Sequence, residues 1–113
     1  MIYAFDLDGT ICTKTQDGDY HLARPYRLMT EIINRLYDQG NKIIIYTARG
    51  MYSKTDRSDL TKKQLDEWNV KYHEICSKPG ADIYIDDLSI QPDDFIKQHL
   101  FEQRKLYRRG DIC

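Results

Sequence analysis

Apolar positions along the chain fall into two patterns, short continuous runs and stripes recurring every three to four residues. Ile2-Tyr3-Ala4-Phe5 is a short run ending at Asp6 and predicts a strand over residues 2–6. Lys42-Ile43-Ile44-Ile45-Tyr46-Thr47 is the strongest strand signal, and its unbroken apolar core suits a central strand covered on both faces. Residues 70–75 and 82–86 predict two further strands, the last ending in carboxylates. The stripes lie between these runs. Leu28, Met29, Ile32, Ile33, Leu36 and Tyr37 mark one buried helix face, with Pro25 as an early helical residue and Gly40 as the stop. Residues 59–69 predict a second helix with Leu60, Leu65 and Trp68 inward. Residues 92–107 predict a third, striped by Phe95, Ile96, Leu100 and Phe101. Strands alternating with helices imply an α/β fold on a parallel sheet with right-handed crossovers.

Two polar stretches interrupt the pattern. Thr13 to Asp19 is turn-rich, with Asp17-Gly18 as a hairpin tip, and Arg49 to Ser58 reads as a loop. The 113 residues suit one domain, 1–113, large enough to fold without staples. A formal net charge of -1 argues against nucleic acid or an anionic membrane as an obligate partner. Basic residues are scattered except at Arg104, Lys105, Arg108 and Arg109, where cations suit a helix C-terminus. No apolar run approaches the ~20 residues that span a bilayer. Asp6 and Asp8 break what would be the apolar region of a signal peptide. Cys12, Cys76 and Cys113 are odd in number and widely spaced, which fits a reducing cytoplasm better than a disulfide framework. The expected location is cytoplasmic.

Chemistry gathers at the strand ends. Asp6 and Asp8 lie at i and i+2, on one side of an extended segment, at the end of a strand where open α/β sheets bind ligands. Gly9 lets the backbone turn and approach a ligand closely, and Thr10 adds a hydroxyl and an amide. One carboxylate can be a nucleophile and the other a proton carrier, and together they call for a cation. Taken alone, the stretch is also an ordinary Asp-Gly turn. Thr47 ends a strand, where a hydroxyl can bond a phosphoryl oxygen or merely close the strand. Lys78, before Pro79-Gly80, can balance the carboxylates and hold phosphate, or be a solvated loop lysine. Asp86-Asp87 after Ile83-Tyr84-Ile85 is costly unless the pair binds a cation or caps a turn. Oxygen ligands of this kind suit magnesium.

In order, the chain reads apolar strand then Asp-x-Asp-Gly-Thr, apolar strand then Thr, Lys-Pro, apolar strand then Asp-Asp. This resembles the haloacid dehalogenase superfamily of phosphatases, over residues 6–87. The resemblance implies a three-layer α/β/α, Rossmann-like parallel sheet. By position it implies Asp6 as nucleophile and Asp8 as general acid/base, with Thr47 and Lys78 holding the phosphoryl group. It also implies magnesium on Asp6, the main-chain carbonyl of Asp8 and Asp86, with Asp87 assisting. An acid at position 8 favours phosphoryl transfer over dehalogenation, proceeding through an aspartyl-phosphate.

About fourteen residues separate Thr10 from Pro25, too few for a folded cap, so the chain reads as a capless member. Its brevity and its Thr47-Ala48-Arg49-Gly50 segment are similar to small phosphatases of capsule and surface-polysaccharide gene clusters. The expected substrate is a small phosphorylated metabolite such as a sugar or polyol phosphate. His21, Arg24, Arg49, Tyr52 and Lys54 lie near enough in sequence to touch it, and Arg49 is the best of them because a guanidinium suits an anion. Thr10 joins Arg49 as a substrate-binding candidate. An uncovered site also favours a homo-oligomer. The alternatives are a nucleotide or polynucleotide-end phosphatase and, from another class, a non-catalytic phospho-receiver-like domain. Receivers place Lys-Pro after the last acidic motif, and here Lys78-Pro79 precedes it.

Overall fold

The computed structural model describes residues 1–16, 18–49 and 58–100. Asp17 of the hairpin tip, Tyr52 and Lys54, Phe101 and the basic cluster of residues 104–109 lie outside the described residues. By internal contacts the chain forms two units, Met1–Ile83 and Tyr84–Cys113.

The first unit is built on a parallel sheet of three strands, β1 (Ile2–Asp6), β2 (Lys42–Thr47) and β3 (Glu74–Ser77), in the order β1-β2-β3. The central position of β2 follows from its continuous apolar run, and Ile43 and Ile45 are fully buried. Register is direct. Asp6 is opposite Tyr46, and Thr47 is opposite Ser77, so all three strands end at one level.

Helix α1 (Arg27–Asp38) buries Met29, Ile32, Ile33 and Leu36, the stripe expected from their spacing. Leu28, in its first turn, is exposed. Pro25 stands outside the helix, because the Tyr26 amide donates to the Ile11 carbonyl and keeps this stretch extended beside the loop after β1. The helix ends as expected. Gly40 has φ +93°, and the Asn41 amide reaches back to the Leu36 carbonyl, satisfying a terminal acceptor. Helix α2 (Ser58–Glu67) closes the same way with an asparagine, Asn69 at φ 56°, and the Val70 amide donates to Leu65 O.

Two strand expectations need correction. The strand expected at 70–75 lies at Glu74–Ser77 instead. The amide of Lys71 is taken by the Asn34 side chain, which holds the entry segment against α1 and delays the ladder. The segment 82–86 is not a strand. Ile83 and Ile85 are exposed, and Asp86 folds the following residues into a turn through its own carboxylate. Its Oδ1 accepts from the Leu88 amide at 2.9 Å, and its carbonyl accepts from Ser89 Oγ at 3.1 Å. A short acidic side chain that claims a nearby amide competes with sheet pairing. In the second unit, helix α3 occupies residues 92–100 of the described chain and buries Phe95.

Candidate active site

The carboxyl ends of β1, β2 and β3 bring Asp6, Thr47 and Lys78 together. The Lys78 amide donates to the Thr47 carbonyl at 2.9 Å, continuing the β2–β3 ladder one step past the strand. This step aims the lysine back across the sheet end. Its Nζ stands 3.4 Å from Asp6 Oδ1 and 4.8 Å from the centre of the Tyr46 ring, and its side chain is 12% exposed. An ammonium so enclosed has exchanged water for a carboxylate and an aromatic face. Asp6 itself is held above the usual carboxylate range. Burial is the main cause, the Asp8 charge adds to it, and Lys78 and the Leu7 amide oppose it. A carboxylate with incomplete compensation accommodates further positive charge.

The loop after β1 is a tight nest. The amides of Thr10, Ile11 and Cys12 all converge on the Leu7 carbonyl, and the Gly9 amide donates to Cys12 O at 2.7 Å. Gly9 holds φ +89°, a conformation in which a side chain is strained. Leu7, Ile11 and Cys12 are fully buried and anchor the loop, leaving Asp6 and Asp8 half-exposed between them. Thr10 sits in this turn, half-buried, with its amide engaged by Leu7.

Asp8 does not stand alone. Arg49 Nη2 donates to its Oδ1 at 2.8 Å and Nε to its Oδ2 at 3.0 Å, a two-pronged pair that fixes the carboxylate plane. The Arg49 side chain is 1% exposed and that of Asp8 is 23% exposed. The remaining prong, Nη1, donates to Gln64 Oε1 at 2.6 Å and to Thr61 Oγ1 at 3.3 Å, and the Tyr20 ring covers the guanidinium at 4.6 Å. The arginine expected at the substrate thus lies inward, its fork on Asp8 and its back on α2. Thr47 Oγ1 accepts from the Arg49 amide at 3.1 Å, so Thr47 also shapes the start of the Arg49 segment. Cys12 Sγ lies 3.5 Å from Asp8 Oδ1, and burial pushes its thiol up to about 12, with Asp8 adding to the effect.

Thr61, Gln64, Tyr20 and Cys12 were not sequence candidates. For two of them a signal exists: Thr61 and Gln64 fall in phase with Leu65 on α2 and are buried, so they are polar residues on an inward face. His21 and Arg24 are exposed. The base of their segment is closed by the Thr13 amide on Arg24 O and the Arg24 amide on Thr13 Oγ1.

A family model described as polynucleotide kinase 3 phosphatase matches residues 1–98. The chain belongs to that family. The family is haloacid-dehalogenase-like, so the chain is a relative of phosphatases of that superfamily. A crystal structure of a structural-genomics target from Vibrio cholerae is 29% identical, with a TM-score of 0.78 over 96% of this chain and 98% of that one. A second solved structure, the Pnkp1/Rnl/Hen1 complex, is 19% identical with a TM-score of 0.54. It covers 86% of this chain but 33% of its counterpart, and its likeness concerns the fold alone. No curated protein matches the chain. Among the described residues no helix is long and apolar enough to cross a membrane.

For metal binding, the described residues contain no cluster of three or more His, Cys, Asp or Glu side chains. What the end of β1 offers is hard oxygen: the Asp6 carboxylate, kept short of positive charge by burial, and the Asp8 carbonyl. That donor chemistry fits magnesium. Asp86 and Asp87 belong to the second unit, where both are exposed.

Proposed function

We propose that this protein is a magnesium-dependent phosphomonoesterase that passes a phosphoryl group through Asp6. The observation that carries the reading is the convergence of Asp6, Thr47 and Lys78 at the ends of three adjacent strands, with Lys78 Nζ 3.4 Å from the carboxylate. Asp6 attacks phosphorus in line, and Lys78 and the Thr47 hydroxyl bear on the transferring oxygens as negative charge redistributes. Asp8 gives a proton to the leaving oxygen and then takes one from the water that cleaves the aspartyl-phosphate. Each oxygen of Asp8 has two acceptor sites. Among the described residues Oδ1 receives Arg49 Nη2 and the Cys12 thiol, while Oδ2 receives Arg49 Nε only. Magnesium would be held by Asp6 and the Asp8 carbonyl, with Asp86, and Asp87 in support, carried over from the superfamily resemblance. When bound, it supplies neutralisation of the phosphoryl charge.

For substrate, we infer a small phosphorylated metabolite, a sugar or polyol phosphate, with a role in capsule or surface-polysaccharide synthesis as the narrower reading. The second reading is a polynucleotide 3′ end. It is favoured by the family name and weakens the expectation that nucleic acid is excluded, since one end phosphate needs no extended basic surface. The net charge of -1 favours the first. We retain a single catalytic domain over 1–113, a cytoplasmic location and a homo-oligomer as parts of the proposal.

The test is phosphate release from sugar phosphates, polyol phosphates, nucleotides and a 3′-phosphorylated oligonucleotide, with magnesium and with chelator. Turnover that requires magnesium and is lost in Asp6→Asn is expected. Robust turnover by Asp6→Asn sinks the nucleophile assignment. Faster release from the oligonucleotide than from any small ester moves the substrate to the second reading.

A further inference from the structure

Behind the Asp8–Arg49 pair stands a residue with no part in the steps above. Gln64, on α2, is 5% exposed and uses both ends of its amide. Oε1 accepts from Arg49 Nη1 at 2.6 Å, and Nε2 donates to the Tyr20 carbonyl at 2.7 Å. The chemistry allows only this orientation, because a guanidinium only donates and a carbonyl only accepts. The amide therefore ties the short helix at Tyr20–Leu22 to the guanidinium. The Tyr20 ring closes the same guanidinium from its face at 4.6 Å. Arg49 is gripped on three sides and presents Nε and Nη2 to Asp8, with Nη2 also 3.8 Å from Cys12 Sγ.

We propose that Gln64 is a positioning residue for the reaction: it fixes the Arg49 fork and, through it, the orientation of the Asp8 carboxylate. The inference rests on Asp8 as proton carrier. Thr61 assists at 3.3 Å on the same nitrogen. A planar fork held at its back cannot rotate, so its two prongs set the plane of the carboxylate they meet. A carboxylate free to turn about its bond loses the alignment that proton transfer requires. Misplacement on the scale of 1 Å costs about a hundredfold in rate.

The test replaces Gln64 with methionine, of similar length and without hydrogen-bonding groups. In Gln64→Met, kcat should fall about 10- to 100-fold with KM within about twofold. The loss should vanish in an Asp8→Asn background, because residues acting as one unit are not additive. A second readout needs no turnover. The Arg49 Nε–H resonance should exchange with water about tenfold faster in the variant, as a donor released from a buried pair does.

Equal fold losses in the wild-type and Asp8→Asn backgrounds would overturn the proposal, as would unchanged Arg49 exchange in Gln64→Met. A wild-type protein inactive on every ester would refute the proposed function instead, while the exchange measurement still decides whether Gln64 holds the fork.

Discussion

Replacing Arg49 by methionine is the most demanding probe of the buried network, because its consequences can be counted atom by atom. The guanidinium side chain is 1% exposed and donates to Asp8, Gln64 and Thr61. Removing one member of a buried ion pair costs about 3–5 kcal/mol, chiefly from the charge left behind. Asp8 is 23% exposed on its side chain, so water can reach it, and the cost falls toward the lower end. Gln64 Oε1 and Thr61 Oγ1 each lose a donor in a buried setting, and an orphaned buried acceptor costs about 1–3 kcal/mol. The methionine recovers part of this through apolar contact with Tyr20. The net expectation is about 3 kcal/mol, a drop of roughly 10–15 °C in Tm for a domain of this size. Urea unfolding followed by Trp68 fluorescence and far-ultraviolet dichroism, with chelator present, reads it directly. Arg49→Lys keeps the charge without the fork and should cost less, and the Asp8→Asn and Arg49→Met pair should couple by about 1 kcal/mol or more. A loss under about 1 kcal/mol for Arg49→Met would refute the reasoning, since it would mean that the pair is open to solvent.

Cys12 and Asp6 extend the predictions to pH. The Cys12 thiol is raised from 9.0 to about 12, so the folded protein keeps a proton that the unfolded chain releases. Its contribution to stability is complete below about pH 9 and is lost by about 1.4 kcal/mol per pH unit up to 12, a slope that Cys12→Ala should flatten. At pH 8 exposed Cys76 should react promptly with a thiol reagent, and Cys12 only as fast as the fold opens; prompt labelling of Cys12 would contradict its burial. Asp6 is also raised, chiefly by burial, so with chelator present its contribution is full below the ordinary value of 3.8 and is lost as pH rises through the folded value. The ionised nucleophile is thus a cost at neutral pH, and Asp6→Asn should be more stable than the wild type in denaturant titrations with chelator. A less stable variant would show that the Lys78 pairing outweighs desolvation.

Much of the fold was legible because two periodicities rarely conflict in this chain. The 3–4 stripe of Met29, Ile32, Ile33 and Leu36 is buried as read, and in the run at Ile43–Ile45 the two outer isoleucines are buried while Ile44 is half-buried. The misreadings have a common origin in polar side chains that claim backbone groups. Asn34 takes the Lys71 amide and shortens the expected third strand from its start. Asp86 takes the Leu88 amide, and the alternation of Ile83 and Ile85 yields no strand. Apolar pattern is readable over short windows. The capture of the Lys71 amide by a side chain 37 residues away is not.

The site divides along the same line. Asp6, Thr47 and Lys78 were identifiable because a parallel ladder converts strand ends into spatial neighbours, and the register Asp6–Tyr46, Thr47–Ser77 does so without a bulge. Arg49 follows Thr47 by two residues, and its position beside a phosphate-binding hydroxyl pointed it toward substrate. Its destination was set by α2, where Thr61 and Gln64 occupy turns that an apolar face would fill. A buried glutamine needs partners on both of its polar atoms, and a buried arginine needs acceptors around its fork. Each supplies what the other lacks, and Asp8 completes the set. Two polar residues in phase with Leu65 were therefore the sequence sign of a buried cation, and Arg49 is the cation in the pairing that results.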